Sequence, residues 1–254
     1  MIIREIYART ILSRSRVFDY VINPYTGCQH GCTYCYARFM KRFTGHKEPW
    51  GEFVDVKVNA PDLLQREIEK MPPGRVWVSG VCDSYQPLEK TYELTKRCLE
   101  ILVRHDWPIT IQTKSSLVLR DVNLIRGTDK LEVGLSVTTG DEEVRQLFEP
   151  SAPSIKERIK ALKERIKALE ELHLASVRTF AMIAPMLPKA EELATMLRGK
   201  VDYVLIDRMN YHYADWVYKK YSLQSARSDG FFFLGGRQLA TAFEKAGIEC
   251  QVLF

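Results

Sequence analysis

No apolar run in the 254 residues approaches the roughly 20 that a membrane-spanning helix needs; short stretches such as 76–78 and 181–184 are typical. The start, Met-Ile-Ile-Arg-Glu-Ile, lacks an apolar stretch followed by a cleavage site, so no export signal is expected. Without export, the six cysteines are expected in a reducing cytosol, where a clustered set points to metal binding rather than disulfides. Strong basicity is also missing. The net charge of +5 leans only slightly toward a polyanionic partner, and Lys-rich helix faces account for most of it. No linker rich in Gly, Pro or Ser divides the chain, so one domain is expected. At this length, with 46% hydrophobic residues, a full core forms without disulfide staples.

Against this plain background stands one dense loop, residues 24–36. Cys28, Cys32 and Cys35 are spaced C-x3-C-x2-C, and no fourth cysteine follows in the loop. Thiolates are the usual ligands of iron–sulfur clusters, and four saturate a cubane. Three leave one iron open to chemistry. Gly27 and Gly31 flank the first two cysteines and permit turns that other residues resist. Tyr34 precedes the third and can cover a cluster with its ring. The alternative is a zinc site completed by His30 or another residue, with His30 otherwise a surface or packing residue. Zinc sites usually combine two separated Cys/His pairs, and no distant pair is present.

Beyond residue 70 the pattern alternates. Residues 75–81, 108–113, 131–137, 177–184 and 201–207 read as strands, and 17–22 is the strand before the cysteine loop. Helical spacing occupies 89–103, 117–125, 154–172 and 189–197, and 248–254 reads as a closing strand. Within 154–172 the run 156–162 is repeated unchanged as 163–169, which lengthens one helix by two turns. Alternation of this kind predicts parallel strands with right-handed crossovers: an α/β fold, specifically a partial (β/α)6 TIM-type barrel over residues 1–210. Residues 211–254 form a C-terminal extension expected to pack on the barrel rather than fold alone. In such barrels active sites lie at the C-terminal ends of the strands.

The cysteine spacing, with Tyr34 at the end of a first strand, resembles the radical S-adenosylmethionine (SAM) superfamily. The flanking run 23–38, together with 83–89, 113–115 and 149–153, is similar to the spore photoproduct lyase-like group. The resemblance implies a [4Fe-4S] cluster on Cys28, Cys32 and Cys35, with SAM chelating the fourth iron. It further implies reductive cleavage of SAM to a 5′-deoxyadenosyl radical that abstracts hydrogen from a substrate. A ferredoxin or flavodoxin would supply the electron, and a nucleic-acid substrate is the expectation by analogy. Modification of a protein or small molecule is the second enzyme reading. A metal-containing module that binds RNA without catalysis is the rival from another class.

The resemblance also assigns roles at the strand ends. Ser79, Gly80 and Asp83 follow the second strand, where the methionyl amino group would be met. Gly80 would let SAM approach the backbone, and Asp83 would either accept from the ammonium or cap the next helix. Lys114 ends the third strand and would pair with the methionyl carboxylate. Ser136 and Thr138 end the next and would bond ribose or carboxylate. Spore photoproduct lyase uses a cysteine as hydrogen donor near the end of the second strand. Gly80 stands at that position here, and Cys82, two residues on and read as sharing its strand face, is the candidate displaced donor. Tyr211 to Tyr221 mixes aromatic and basic residues, the composition of a base-stacking surface or of an ordinary lid.

Overall fold

The computed structural model describes the chain except residues 127, 153, 158 and 160–176. Eleven strands are described: β1 (Ile2–Ile6), β2 (Leu12–Arg14), β3 (Tyr20–Ile22), β4 (Tyr25–Thr26), β5 (Phe53–Lys57), β6 (Val76–Val78), β7 (Ile109–Thr113), β8 (Leu131–Ser136), β9 (Arg178–Ile183), β10 (Tyr203–Ile206) and β11 (Glu249–Val252). Eight of them form one sheet in the order β2–β3–β6–β7–β8–β9–β10–β11. Every pairing in it is parallel except β2 with β3 at the edge. The fold is thus mixed α/β around a largely parallel sheet, as the alternating pattern predicts.

The register sets the site. Ile22 lies opposite Val78, Val78 opposite Ile111, Thr113 opposite Leu135, and Ser136 opposite Met182. The C-terminal ends of β3, β6, β7 and β8 therefore fall along one edge, and the polar residues after them project from neighbouring strands.

A second sheet, β1–β5–β4, is absent from the sequence reading. Its three strands are short, and β1 is exposed along most of its length, so no buried alternation marks it. It matters because β4 runs directly into the cysteine loop, and β5 lies against it antiparallel, Tyr25 opposite Val56. Gly27 follows with φ +96°, and a Cβ there would stand 2.3 Å from the Phe53 carbonyl oxygen. Only glycine makes that turn so close to β5.

Several boundaries shift. The first strand begins at Tyr20 rather than 17, since Val17 is exposed. The helix read over 89–103 is two, Glu89–Tyr92 and Leu94–Arg104, broken at Glu93 with φ +48°. Residues 117–125 become a 3-10 turn, Ser116–Asp121, and a short helix, Val122–Ile125. Among the described residues four helices went unread: Ala60–Ile68, Glu142–Phe148, Asp215–Lys220 and Asp229–Lys245. The long helix and internal repeat over 154–172 fall largely outside the described residues. Beyond residue 211, Phe232, Leu239 and Phe243 are buried in the same core as Ile22, Val78 and Ile111, and β11 extends the main sheet beside β10.

Candidate active site

Backbone hydrogen bonds from Gly31 to Cys28 (3.3 Å) and from Cys35 to Cys32 (3.2 Å) wind residues 28–35 into consecutive turns. Cys28 and Cys32 are buried and Cys35 half-buried. All six cysteines are unbridged. Burial pushes the Cys28 thiol well up, and the neighbouring Asp83, Cys32, Cys35 and Cys82 push the same way. Cys35 is also raised by burial, against opposing pulls from the Ala37 amide, Lys114, Arg38 and Trp50. Buried thiols this close resist ionising together unless a cationic group offsets their charge, and iron supplies that charge. The donor set therefore fits a cluster. Among the described residues no three His, Cys, Asp or Glu side chains converge on a single metal ion. A cubane places each thiolate on a different iron, so its ligands stand farther apart than those of one zinc. The indole N–H of Trp50 is buried beside the Cys35 sulfur with no acceptor in hydrogen-bond geometry. A thiolate or a cluster sulfur is the acceptor it lacks.

The run 83–89 is a clamp on this loop. The Gln86 side chain accepts from the Gln29 amide (2.9 Å) and donates to the Gly27 carbonyl (3.3 Å), while Gln29 accepts from the Leu88 amide (2.7 Å). Fully buried Glu89 accepts from the Tyr25 hydroxyl, from the amides of Thr95 and Lys96, and from Arg120 (2.8 Å).

Asp83 is the centre of the clamp. Its Oδ1 accepts from Thr113 Oγ1 (2.5 Å) and the Tyr85 amide (2.9 Å). Its Oδ2 accepts from the Lys114 amide (2.8 Å) and lies 3.2 Å from His30 Nε2. Three hydrogen bonds and the nearby His30 ring engage this carboxylate. Burial alone would raise Asp83, but the His30 ring, the Thr113 hydroxyl and the Lys114 amide outweigh it and hold the group well below the usual carboxylate range. His30 is buried and serves as this carboxylate's partner.

Glu149 is a second centre. It is fully buried, accepts from the Tyr34 hydroxyl and from Thr138 Oγ1 (3.1 Å), and lies 4.0 Å from Lys114 Nζ. The Thr138 hydroxyl donates to Glu149. Ser136 is buried and accepts from Gln112 Nε2 (3.2 Å). The Lys114 ammonium lies 5.9 Å over the Tyr34 ring at the mouth of the cysteine loop, and its charge reaches Cys35.

β6 ends at Val78, not 81, and Ser79 takes φ +71°. The chain turns there, so the alternation that placed Gly80 and Cys82 on one strand face does not apply. A Cβ on Gly80 would meet Trp77 and Val21 at 3.2 Å, so packing on those side chains is reason enough for glycine. The Gly80 carbonyl accepts from the Tyr36 hydroxyl. Ser79 Oγ is buried without a hydrogen-bond partner and sits beside Cys82. Burial pushes the Cys82 thiol up to about 12, so its S–H is intact at neutral pH.

At the rim, Tyr36 stacks on Tyr211 (6.1 Å) and Tyr211 on Tyr213 (5.8 Å, 7° between planes). Arg38 donates to the Thr33 carbonyl (2.8 Å) and covers Tyr213 at 4.9 Å. Sequence reasoning missed Trp50, Tyr36 and the reach of Glu149. Only the spore photoproduct lyase-like runs around 83–89 and 149–153 signalled any of this.

A three-thiol loop beside the strand ends of a largely parallel α/β sheet defines a class, and comparison supplies the family. The chain belongs to the radical SAM superfamily, whose profile matches residues 22–198 and whose members are generally enzymes. It is 38% identical to an uncharacterized protein of Methanocaldococcus jannaschii, over 66% of this chain and 61% of that one. It is 31% identical to an uncharacterized protein of Mycobacterium tuberculosis, over 68% of this chain and 51% of that one. The chain therefore spans about half to three fifths of these relatives. In structure it is similar to spore photoproduct lyase complexed with dinucleoside spore photoproduct, with a TM-score of 0.70 at 17% identity over 99% of this chain and 82% of that one. SuiB of Streptococcus suis bound to its precursor peptide SuiA aligns with a TM-score of 0.51 at 15% identity, over 89% of this chain and 50% of that one. Among the described residues no helix is long and apolar enough to cross a membrane.

Proposed function

We propose that this protein is a radical SAM enzyme that cleaves SAM reductively and abstracts hydrogen from a nucleic-acid substrate. The observation that carries the first half is the buried loop of Cys28, Cys32 and Cys35, clamped by 83–89 and faced by the unmatched Trp50 N–H. When bound, the cluster and SAM supply a 5′-deoxyadenosyl radical; binding, orientation and exclusion of water fall to the chain. Cys28, Cys32 and Cys35 would hold three irons. Lys114, partly buried beside Tyr34, would pair with the methionyl carboxylate, and Ser79, buried beside Cys82, follows the neighbouring strand. Cys82, a protonated thiol, is the candidate hydrogen donor to a product radical. In this reading the sheet is a partial (β/α)6 barrel, with 211–254 packed on it as an extension. The unbridged cysteines fit a reducing cytosol.

The second half rests on the rim. Tyr36, Tyr211 and Tyr213 form a partly exposed stack beside Arg38, the arrangement on which unpaired bases stack. Spore photoproduct lyase, of similar fold, is complexed with dinucleoside spore photoproduct, which agrees with this. SuiB carries a peptide on a related fold, so the fold alone does not choose. Anaerobic reconstitution with iron and sulfide, then dithionite and SAM, tests the chemistry. 5′-Deoxyadenosine should form, and Ala at any of Cys28, Cys32 or Cys35 should abolish it. Failure of the wild type to load iron would sink the reading. A short single-stranded oligonucleotide should bind the wild type and lose affinity in Tyr211→Ala.

A further inference from the structure

Reductive cleavage consumes one electron per event, and no residue of this chain supplies it. A donor must come within reach of a cluster ligand, and one surface is built next to Cys35. From Tyr36 to Lys47 the chain carries Arg38, Lys41, Arg42 and Lys47 and no Asp or Glu. Among the described residues none of these four forms an ion pair with a carboxylate; Lys41 Nζ donates to the Lys47 carbonyl (2.9 Å). The next acid, Glu48, is taken by His46 Nδ1 (3.0 Å). The charge of this segment is left for something outside the chain.

Beneath the surface lies a short aromatic path. Arg38, Phe39, Lys41, Arg42, Gly45 and His46 line a shallow depression. The His46 ring stacks on Phe53 at 4.2 Å, Phe53 meets Trp50 edge-on at 5.8 Å, and the Trp50 indole is buried against Cys35. This path leads to a thiol ligand, not to the strand-end mouth where Tyr36 meets Gly80. Phe39 and Phe43 are exposed, yet Arg42 lies over both rings, at 5.6 and 4.6 Å. Arg42 thus sets a cation against exposed apolar rings at the edge of the depression. A basic rim around exposed apolar rings is complementary to an acidic protein surface.

Resting on the radical SAM reading, we infer that residues 38–47 are the docking surface for an acidic one-electron carrier protein. The carrier loses one electron, the cluster gains one, and no atom is transferred. The opposite charges steer the encounter, so the effect is strongest at low salt.

The test uses reconstituted holoenzyme and a reduced acidic flavodoxin. The triple variant K41E/R42E/K47E should bind flavodoxin at least tenfold more weakly at low ionic strength, measured by FMN fluorescence. Flavodoxin-driven 5′-deoxyadenosine should fall at least tenfold, while the dithionite-driven yield stays at the wild-type level. The wild-type affinity should itself fall as salt is raised. Equal flavodoxin affinity in variant and wild type, or no affinity in the wild type, overturns the docking surface. So does a variant that keeps flavodoxin but loses a single-stranded oligonucleotide, which would assign the segment to nucleic acid. If dithionite yields no 5′-deoxyadenosine from wild type, the radical reading fails, and the affinity comparison still decides the docking surface on its own.

Discussion

The two ends of this chain handle polar and aromatic groups in opposite ways. Around the cysteine loop, Asp83, Glu89 and Glu149 are buried, and each is held by three or more partners drawn from different segments. Beyond residue 210 the buried groups are mostly apolar, and Tyr211, Trp216, Tyr221, Phe233 and Leu234 face solvent. A buried charge is costly unless every lone pair is met, so the first arrangement is rigid and specific. Exposed rings leave part of their surface to solvent. The first region is held by buried polar contacts, and the second presents aromatic surface.

The sharpest test of this contrast is whether the extension is a separate unit. Phe243 is fully buried on the helix Asp229–Lys245, in the core shared with β3, β6 and β7. Phe243→Ala should cost about 4 kcal/mol. It should lower a single thermal transition followed by both far-UV and near-UV circular dichroism. A separate early transition would show that the two regions differ in fold as well as in chemistry.

Next is the clamp. Asp83→Asn leaves His30 without its carboxylate in a buried place, at a cost of about 3 kcal/mol. The sign with pH follows from the depressed native value. An unfolded aspartate titrates near 3.9, about the ordinary value. The wild-type contribution is therefore complete above that pH and is lost as pH falls toward the lower native value. Stability of the variant, read from urea midpoints, should change less than wild type between about pH 4 and pH 2. An equal acid slope in both proteins would remove Asp83 from the centre of the clamp.

How much of this was legible depended on sequence distance. Strand and helix alternation beyond residue 70 is local, and it located the main sheet. The three cysteines lie within eight positions, and their spacing alone marked the site. Glu149 reaches Tyr34 and Gln86 reaches Gln29 across gaps of 115 and 57 residues, which no periodic pattern records. The shared face of Gly80 and Cys82 failed at one residue, because Ser79 takes a left-handed backbone that its side chain does not announce. Asp83 showed its charge in the sequence but not the partners that engage it. The sheet β1–β5–β4 went unread because β4 has two residues and β1 buries almost nothing.

Lys114 lies between the two regions in size of effect. Its side chain is 15% exposed and its ammonium lies 4.0 Å from Glu149. Lys114→Met keeps the aliphatic bulk and removes the ammonium. SAM affinity should fall about tenfold, ~1.4 kcal/mol, by equilibrium dialysis on reconstituted protein, with iron content unchanged. Unchanged affinity would move the carboxylate partner elsewhere in the strand-end row.

The smallest effect on the fold is expected at the rim, and that is what makes it informative. Tyr211 and Tyr213 are 48% and 36% exposed and stack chiefly on each other and on Tyr36. Surface substitutions away from special features usually change stability within about 0.5 kcal/mol. The double variant Y211A/Y213A should therefore melt with wild type and cleave SAM with dithionite at the wild-type rate when no substrate is present. Affinity for a single-stranded oligonucleotide should nevertheless fall, since each stacked base is worth about 1–3 kcal/mol. If the variant loses stability instead, the tyrosines belong to the packed region after all. If stability and oligonucleotide affinity both persist, the stack is neither core nor platform, and the nucleic-acid reading of the rim falls with it.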